Sequence, residues 1–330
     1  MWMRNVCYDR GVLQAIRVPV PVISVGNMTT GGTGKTPVVE YLVRQCLTQG
    51  RKVAVISRGY KRETKGTVVV SDGRQVLADM AQAGDEPFQV AQKFSQIVVI
   101  VDEQRARGAQ FAVGQFHVDV IILDDGFQHR ALKRDLDIVM IDGQQSLAPT
   151  QMLPAGRRRE PLNGLRRADI VAFSRADNVT KQADELRPYG LKLFMNIRYR
   201  PVRLHHYLGS EIIELSALKE TSCVAFCGIG NPHSFEQTLR EIRIDVKHFA
   251  SYADHHRFSI SDIESIKHQA NQLKVNVIIT TEKDAVRLKG LSLGGQTNTL
   301  QLYYLEVEAE ITEGAPVLEE KLNILLRAAA

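Results

Sequence analysis

Long apolar runs are missing from this 330-residue chain. No segment approaches the roughly 18 unbroken apolar residues that a spanning helix needs, so nothing in it is expected to cross a bilayer. Aromatic residues make up only 6%, tryptophan occurs once, and cysteine is limited to Cys7, Cys46, Cys223 and Cys227. Those four form neither a CxxC pair nor a Cys/His ligand spacing. That pattern excludes a disulfide scaffold and leaves reduced structural thiols in a cytoplasmic protein as the expectation. A dominant charge is also lacking: 42 Lys and Arg face 37 acidic residues, a net charge of +5. The bias suits an anionic ligand or a membrane surface, and nucleic acid is not implied. Repeats, low-complexity tracts and Pro-rich linkers are absent as well.

What is present is the composition of an ordinary α/β protein of about two domains, with 44% hydrophobic and 24% charged residues. The opening 17 residues have no apolar h-region of a secretory signal. They combine Trp2, Met3, Val6, Tyr8, Val12, Leu13 and Ile16 with three arginines, as in a short interfacial helix or in one packed on the core. From Pro19 onward, strand and helix patterns alternate, which predicts a largely parallel sheet covered by helices. Six strands are expected at Pro19–Val25, Val53–Ile56, Ile97–Val101, Val118–Leu123, Ile138–Ile141 and Ile170–Phe173. Thr36–Gln49 reads as a helix burying Val39, Leu42, Val43 and Cys46, stopped by Gly50. A second α/β series follows the polar stretch Asn196–Arg203, with strands at Cys223–Phe226, Val275–Thr280 and Leu300–Leu305 and helices at Pro232–Arg240 and Ser261–Leu273. The expected domains are residues 1–200 and 201–330.

Between the first strand and the first helix lies Gly26-Asn27-Met28-Thr29-Thr30-Gly31-Gly32-Thr33-Gly34-Lys35-Thr36. That context suits a P-loop: glycines let backbone N–H groups turn toward phosphate oxygens, and the helix presents its positive end. Lys35 would reach the β- and γ-phosphates and the Thr36 hydroxyl would hold Mg²⁺. Thr29 stands where the usual motif has its first glycine, so the loop is a variant. Val118–Leu123 ends in Asp124 and Asp125, the form of a Walker B strand whose carboxyl edge should adjoin the loop. One of the two aspartates, or both, could instead simply turn the chain into Gly126. Asp85 precedes an apolar helical run, which on physical grounds makes it an N-cap. It is also a candidate, ranked below the cap, for the base that phosphoryl transfer to an alcohol requires. His255, in Asp254-His255-His256-Arg257-Phe258, is open in the same way between a polar turn and catalysis. Arg157, Arg158 and Arg159 fit either phosphate recognition or a solvated cluster.

Taken together, these residues resemble the tetraacyldisaccharide 4'-kinases, the lipid A 4'-kinases of Gram-negative bacteria. The similarity runs from Arg4-Asn5 and Tyr8-Asp9 to the C-terminal helix. It passes in order through PVISVGN, GGTGKTP, SRGY, AGDEP, DDGFQHR, RDLDIVMID, LPAGRRREPL, the strand end Cys227–Pro232, DHHRF and TTEKDAVRL. The resemblance implies a P-loop NTPase core with a parallel sheet, and a second, smaller α/β domain closing an active-site cleft. It implies ATP and Mg²⁺, with residues 29–34, Lys35 and Thr36 around the nucleotide. Asp85 would be the base, paired with His255. Asp125 would be the leading Mg²⁺ ligand beside Thr36, supported by Asp124, Glu86 and Glu160. Gln128, His129, Arg105 and Arg159 would surround the phosphates.

The acceptor it implies is the 4'-hydroxyl of a lipid A disaccharide 1-phosphate. The expected location is peripheral, on the cytoplasmic face of the inner membrane. Two departures stand out: Arg157 and Arg158 replace a Pro and an apolar residue, and only 25 residues precede Gly26, so a shortened membrane anchor is expected. Two alternatives are a P-loop kinase acting on another sugar or lipid and a membrane-associated regulatory ATPase. Thr281-Glu282-Lys283-Asp284 is not the order that selects guanine, and Met28, Thr29 and Thr30 offer no second lysine for a positioning ATPase.

Overall fold

A computed structural model describes residues 2–144, 151–176, 178–209, 211–289, 291 and 300–327. Its contacts divide the chain into two units, Met1–Tyr199 with Ala309–Ala330, and Arg200–Glu308.

The first unit is built on β1 (Val22–Asn27), β2 (Val53–Ser57), β3 (Val68–Asp72), β4 (Val98–Val101), β5 (Val120–Asp124), β6 (Leu136–Asp142), β7 (Ile170–Ser174) and the start of β8 (Phe194–His206). They lie in the order β8-β7-β6-β1-β5-β2-β4-β3. Pairing is parallel from β8 through β4, and only β3 runs antiparallel, on β4. All six expected strands are present. Every residue of β1, β2, β5, β6 and β7 is buried, which is why they read as continuous apolar runs. The two strands that sequence patterning missed, β3 and β8, are less buried. Their helices are α1 (Trp2–Asp9), α2 (Lys35–Thr48), α3 (Met80–Ala83), α4 (Asp85–Lys93), α5 (Arg105–Phe116) and α6 (Val179–Leu186). Helix α2 buries Val39, Leu42, Val43 and Cys46 as expected.

Two expectations need correcting here. The helix of the opening segment stops at Asp9, held down by Arg130, which donates to Asn5 O at 2.9 Å, pairs with Asp9 at 2.7 Å and stacks on Tyr8. Met3, Val12, Leu13 and Ile16 stay exposed. Asp85 is not a cap: Gly84, at φ 89°, precedes the helix, and Asp85 is its first residue.

The second unit holds β9 (Ile212–Glu214), β10 (Ser222–Cys227), β11 (Asp245–Ser251), β12 (Val277–Thr281) and most of β13 (Gln301–Glu313), with α7 (Pro232–Glu241), α8 (Ile260–Gln272) and α9 (Glu282–Leu288). Strand β10 pairs in parallel with β11 and β12, and β12 with β13. Apolar clusters line both faces, one around Leu239 and Ile279, the other around Phe226 and Ile266. Cys223 and Cys227 are buried, and burial pushes both thiols up to about 12.

This unit ends earlier than the expected 201–330. Strand β13 carries the chain back to the first unit, where α10 (Ala315–Arg327) buries Leu318, Leu322 and Leu326 and caps Arg51 through Leu326 O at 2.8 Å. The polar stretch Asn196–Arg203 lies inside β8.

Strand β1 lies between β5 and β6, the point where the chain order reverses and α/β sheets bind ligands at their carboxyl edge. Gly26 is required there: an added Cβ would lie 2.7 Å from the backbone nitrogen of the fully buried Phe127. Gly26→Ala should therefore lower unfolding free energy by about 1–3 kcal/mol, the usual cost of overpacking, read from urea denaturation.

Candidate active site

Strand β1 delivers the chain to the loop 28–34, and Gly34, left-handed at φ 77°, starts α2. An added side chain at Gly34 would collide with the Tyr199 hydroxyl. The loop's carbonyls are fixed from outside. Thr30 O accepts from Arg157 at 3.2 Å and Gly32 O from Arg175 at 3.1 Å. Thr33 O accepts from Ser174 at 3.3 Å, and the Tyr199 hydroxyl sits 3.3 Å from Thr33 O and 3.0 Å from Gly34 O. A trans peptide points its N–H opposite to its carbonyl. Bracing these carbonyls therefore turns the N–H groups of Gly31, Gly34 and Lys35 away from their braces, at the positive start of α2.

The three arginines run along the loop: Arg157 is exposed, and Arg158 and Arg159 are half-buried. Thr30 N donates to Arg157 O and Arg159 N to Met28 O, both at 2.8 Å, and Arg158 bridges Thr29. Since Arg158 is joined to the loop through its backbone, the departure from the family pattern at that position leaves the contact intact.

Beside the loop, the two aspartates have opposite environments. Asp125, at φ 55°, lies 3.4 Å from Lys35 Nζ and accepts from Arg159 at 2.7 and 2.9 Å. Burial opposes its ionisation, but Lys35 and Arg159 outweigh it and hold the carboxyl well below the usual range. Asp124 is buried and accepts from Ser57 at 3.2 Å; burial pushes it up to about 6 despite Lys35. Two adjacent carboxyls are thus driven apart in acidity.

Glu160, 1% exposed, already accepts from Gln128 at 2.8 Å, Arg167 at 2.6 Å and Asn5 at 3.4 Å. It therefore buttresses the site, with donors on both oxygens. Gln128 also donates to Asn27 O at 2.8 Å, and Arg4 of α1 donates to Gln128 O at 2.7 Å. Arg105 is 2% exposed, and among the described residues its Nε and Nη2 have no hydrogen-bond partner. Burial lowers it to about 10, so it stays charged, with Asp125 and Asp124 favouring the charge.

Oxygen donors suited to Mg²⁺ are at hand in the Thr36 hydroxyl and the Asp124 and Asp125 carboxylates. A magnesium ion takes one or two carboxylates and completes its shell with phosphate oxygens and water. Among the described residues no three His, Cys, Asp or Glu side chains form a ready-made cage. Glu160 also offers a carboxylate here, held in place by Gln128 and Arg167.

A family model described as tetraacyldisaccharide-1-P 4'-kinase matches residues 1–327. The chain belongs to this family. Proteins named tetraacyldisaccharide 4'-kinase from Anaeromyxobacter sp. (strain K) and Chlorobaculum parvum are 37% and 39% identical to it. Both alignments cover 99% of this chain, and 87% and 91% of the relatives. A crystal structure of the Aquifex aeolicus enzyme, described as in complex with ATP, superposes with a TM-score of 0.74 at 31% identity, covering 98% of this chain and 94% of that one. The fold is that of a P-loop kinase of this family.

In the second unit, His255 occupies a left-handed position at φ 60°, with its backbone N–H on Gly228 O at 3.1 Å. Arg287 meets its Nδ1 at 3.2 Å. A guanidinium can only donate, so Nδ1 accepts, and the neutral ring carries its proton on Nε2. Arg287 is itself fixed by Asp284 at 2.8 Å and Gly228 O at 2.6 Å, and Thr281 donates to Asp284 at 2.6 Å. The TTEKDAVRL segment is thus a brace for His255, a role that residue spacing did not reveal. Asp85 belongs to the first unit and is half-buried. Ser57, Ser174, Arg175 and Tyr199 were also missed; of these, only Ser57 carried a signal, as the first residue of SRGY.

Burial, with Arg105, Arg4 and Arg58 nearby, pushes His129 down to about 3 against the pull of Asp125. The unfolded chain takes up this proton near pH 6.5 while the folded one refuses it, so stability is lost as pH falls from 6.5 toward 3. His129→Gln should remove that component. The stability difference between wild type and variant, followed by urea unfolding from pH 7.5 to 4.5, should shrink in the variant's favour as pH falls.

Proposed function

We propose that the protein transfers the γ-phosphoryl group of ATP to the 4'-hydroxyl of a tetraacyl disaccharide 1-phosphate, a step of lipid A biosynthesis. The observation that carries the phosphate chemistry is Arg105, a buried charged guanidinium whose Nε and Nη2 meet no acceptor among the described residues and whose charge is favoured by Asp125 and Asp124. Names of full-length relatives support the choice of acceptor.

In this reading the N–H groups of Gly31, Gly34 and Lys35 hold the phosphate chain, along a loop running from Thr29 and Thr30 through Gly32 and Thr33. Lys35 leaves Asp125 to follow the γ-phosphate, and Arg105 and Arg159 take the charge that develops on the transferring group. Thr36, Asp125 and Asp124 are the residues that would hold Mg²⁺, which when bound supplies charge neutralisation on the phosphates. Gln128 keeps Glu160 and the strand end in place. Asp85 accepts the proton of the attacking hydroxyl, and His255, protonated on Nε2 because Arg287 occupies Nδ1, orients and stabilises it.

The substrate is a lipid. Among the described residues no helix is long and apolar enough to cross a membrane, and Met3, Val12, Leu13 and Ile16 are exposed at 75%, 71%, 41% and 42%. These residues suit peripheral attachment to an anionic membrane face, with Arg10 and Arg17 contributing charge.

Labelled phosphate should pass from ATP to the purified disaccharide 1-phosphate and not to water-soluble sugars. Asp85→Asn should lower kcat by about 10²-fold or more, and Lys35→Ala by a similar factor; normal turnover in either would overturn its assigned role. In sedimentation with vesicles containing anionic lipid, a Val12→Glu/Leu13→Glu variant should bind less than wild type while keeping turnover on detergent-dispersed lipid.

A further inference from the structure

Glu40 is a buried carboxylate for which the reaction has no direct use. It lies on α2 one turn beyond Thr36, while Gln89 and Lys93 lie on α4 one and two turns beyond Asp85. Residues four apart share a helix face, so each helix carries a stripe that begins at a proposed active-site residue. The stripes meet at Glu40. Gln89 Nε2 donates to its Oε1 at 3.1 Å, and Lys93 Nζ lies 2.8 Å from its Oε2. Glu40 is 1% exposed and Gln89 7%. Burial raises the Glu40 carboxyl, against the pull of Lys93. A buried ion pair can often be replaced by apolar side chains with no loss of stability, so stability alone gives no reason for it. What it supplies is direction: a carboxylate gripped by two side chains of one helix face fixes both the rotation and the height of α4 against α2.

We propose that Glu40 is a positioning residue for phosphoryl transfer, holding the start of α4, and with it Asp85, in register with the start of α2, which carries Lys35 and Thr36. The inference rests on the reading of Asp85 as the base. Loosening the tie leaves the nucleotide cradle whole, since its braces come from Arg157, Arg175, Ser174 and Tyr199, but lets the base drift. A misplacement of about 1 Å can cost roughly 10²-fold in rate.

The test uses the full-length enzyme in mixed micelles. Glu40→Gln/Lys93→Met removes both charges and leaves neither unpaired. Its kcat should fall about tenfold or more, with ATP affinity and melting temperature near wild type. Glu40→Gln/Gln89→Glu keeps one amide–carboxylate bond between the helices but puts the carboxylate on the helix of Lys93, so it should recover part of the lost turnover. Combined with Asp85→Asn, the charge-free pair should cost little further rate, because the group it positions is gone. Wild-type kcat in the charge-free enzyme overturns the proposal. So does an equal fractional loss with and without Asp85→Asn, or failure of the exchanged carboxylate to recover rate. Normal turnover of Asp85→Asn alone would instead overturn the base assignment, and the inference with it.

Discussion

The parallel pairing of β1 with β5 puts Val25 opposite Asp124, and the candidate site depends on that register. It brings the start of the phosphate loop and the end of the acidic strand to the same edge of the sheet. From there Lys35, at the first position of α2, can reach Asp125. A register shifted by one residue would turn the carboxylates to the other face of the sheet, because side chains alternate along a strand. The close packing of Gly26 on Phe127 is one of the contacts that oppose such a slip.

Around this register the protein arranges charge before any phosphate arrives. Lys35 and Arg159 keep Asp125 ionised while burial leaves Asp124 less acidic. Burial, with Arg105, Arg4 and Arg58 nearby, keeps His129 neutral. Arg105 remains charged in a buried place where burial works against it. Such an arrangement is strained electrostatically without an anion and relieved by one, which is the property expected of a preorganised phosphoryl-transfer site. The loop itself is rigidified by carbonyl braces drawn from β7, β8 and the arginine segment, so its amide groups need little reorganisation.

The second unit contributes a differently built element. His255 sits in a turn whose left-handed backbone is supported by Gly228, Asp284 and Arg287. Its proton position follows from a donor-only neighbour. The ring is therefore prepared for a particular hydrogen bond.

The sequence alone determined the six buried strands, the glycine loop before α2, the acidic strand end and, through ten motifs in order, the family. Those features are local: apolar runs, glycines and motif spacing are properties of neighbours along the chain. Strands β3, β8 and β11 escaped because edge and partly exposed strands carry mixed polar patterns. Only the tertiary structure decided that α10 returns to the first unit and that Asp85 opens a helix rather than capping one. It also decided that Glu160 is a buttress, and that Tyr199 and Arg175 fix a loop far from them in sequence. Each of these depends on which distant side chains burial brings within hydrogen-bonding distance, and that is set by packing rather than by order along the chain.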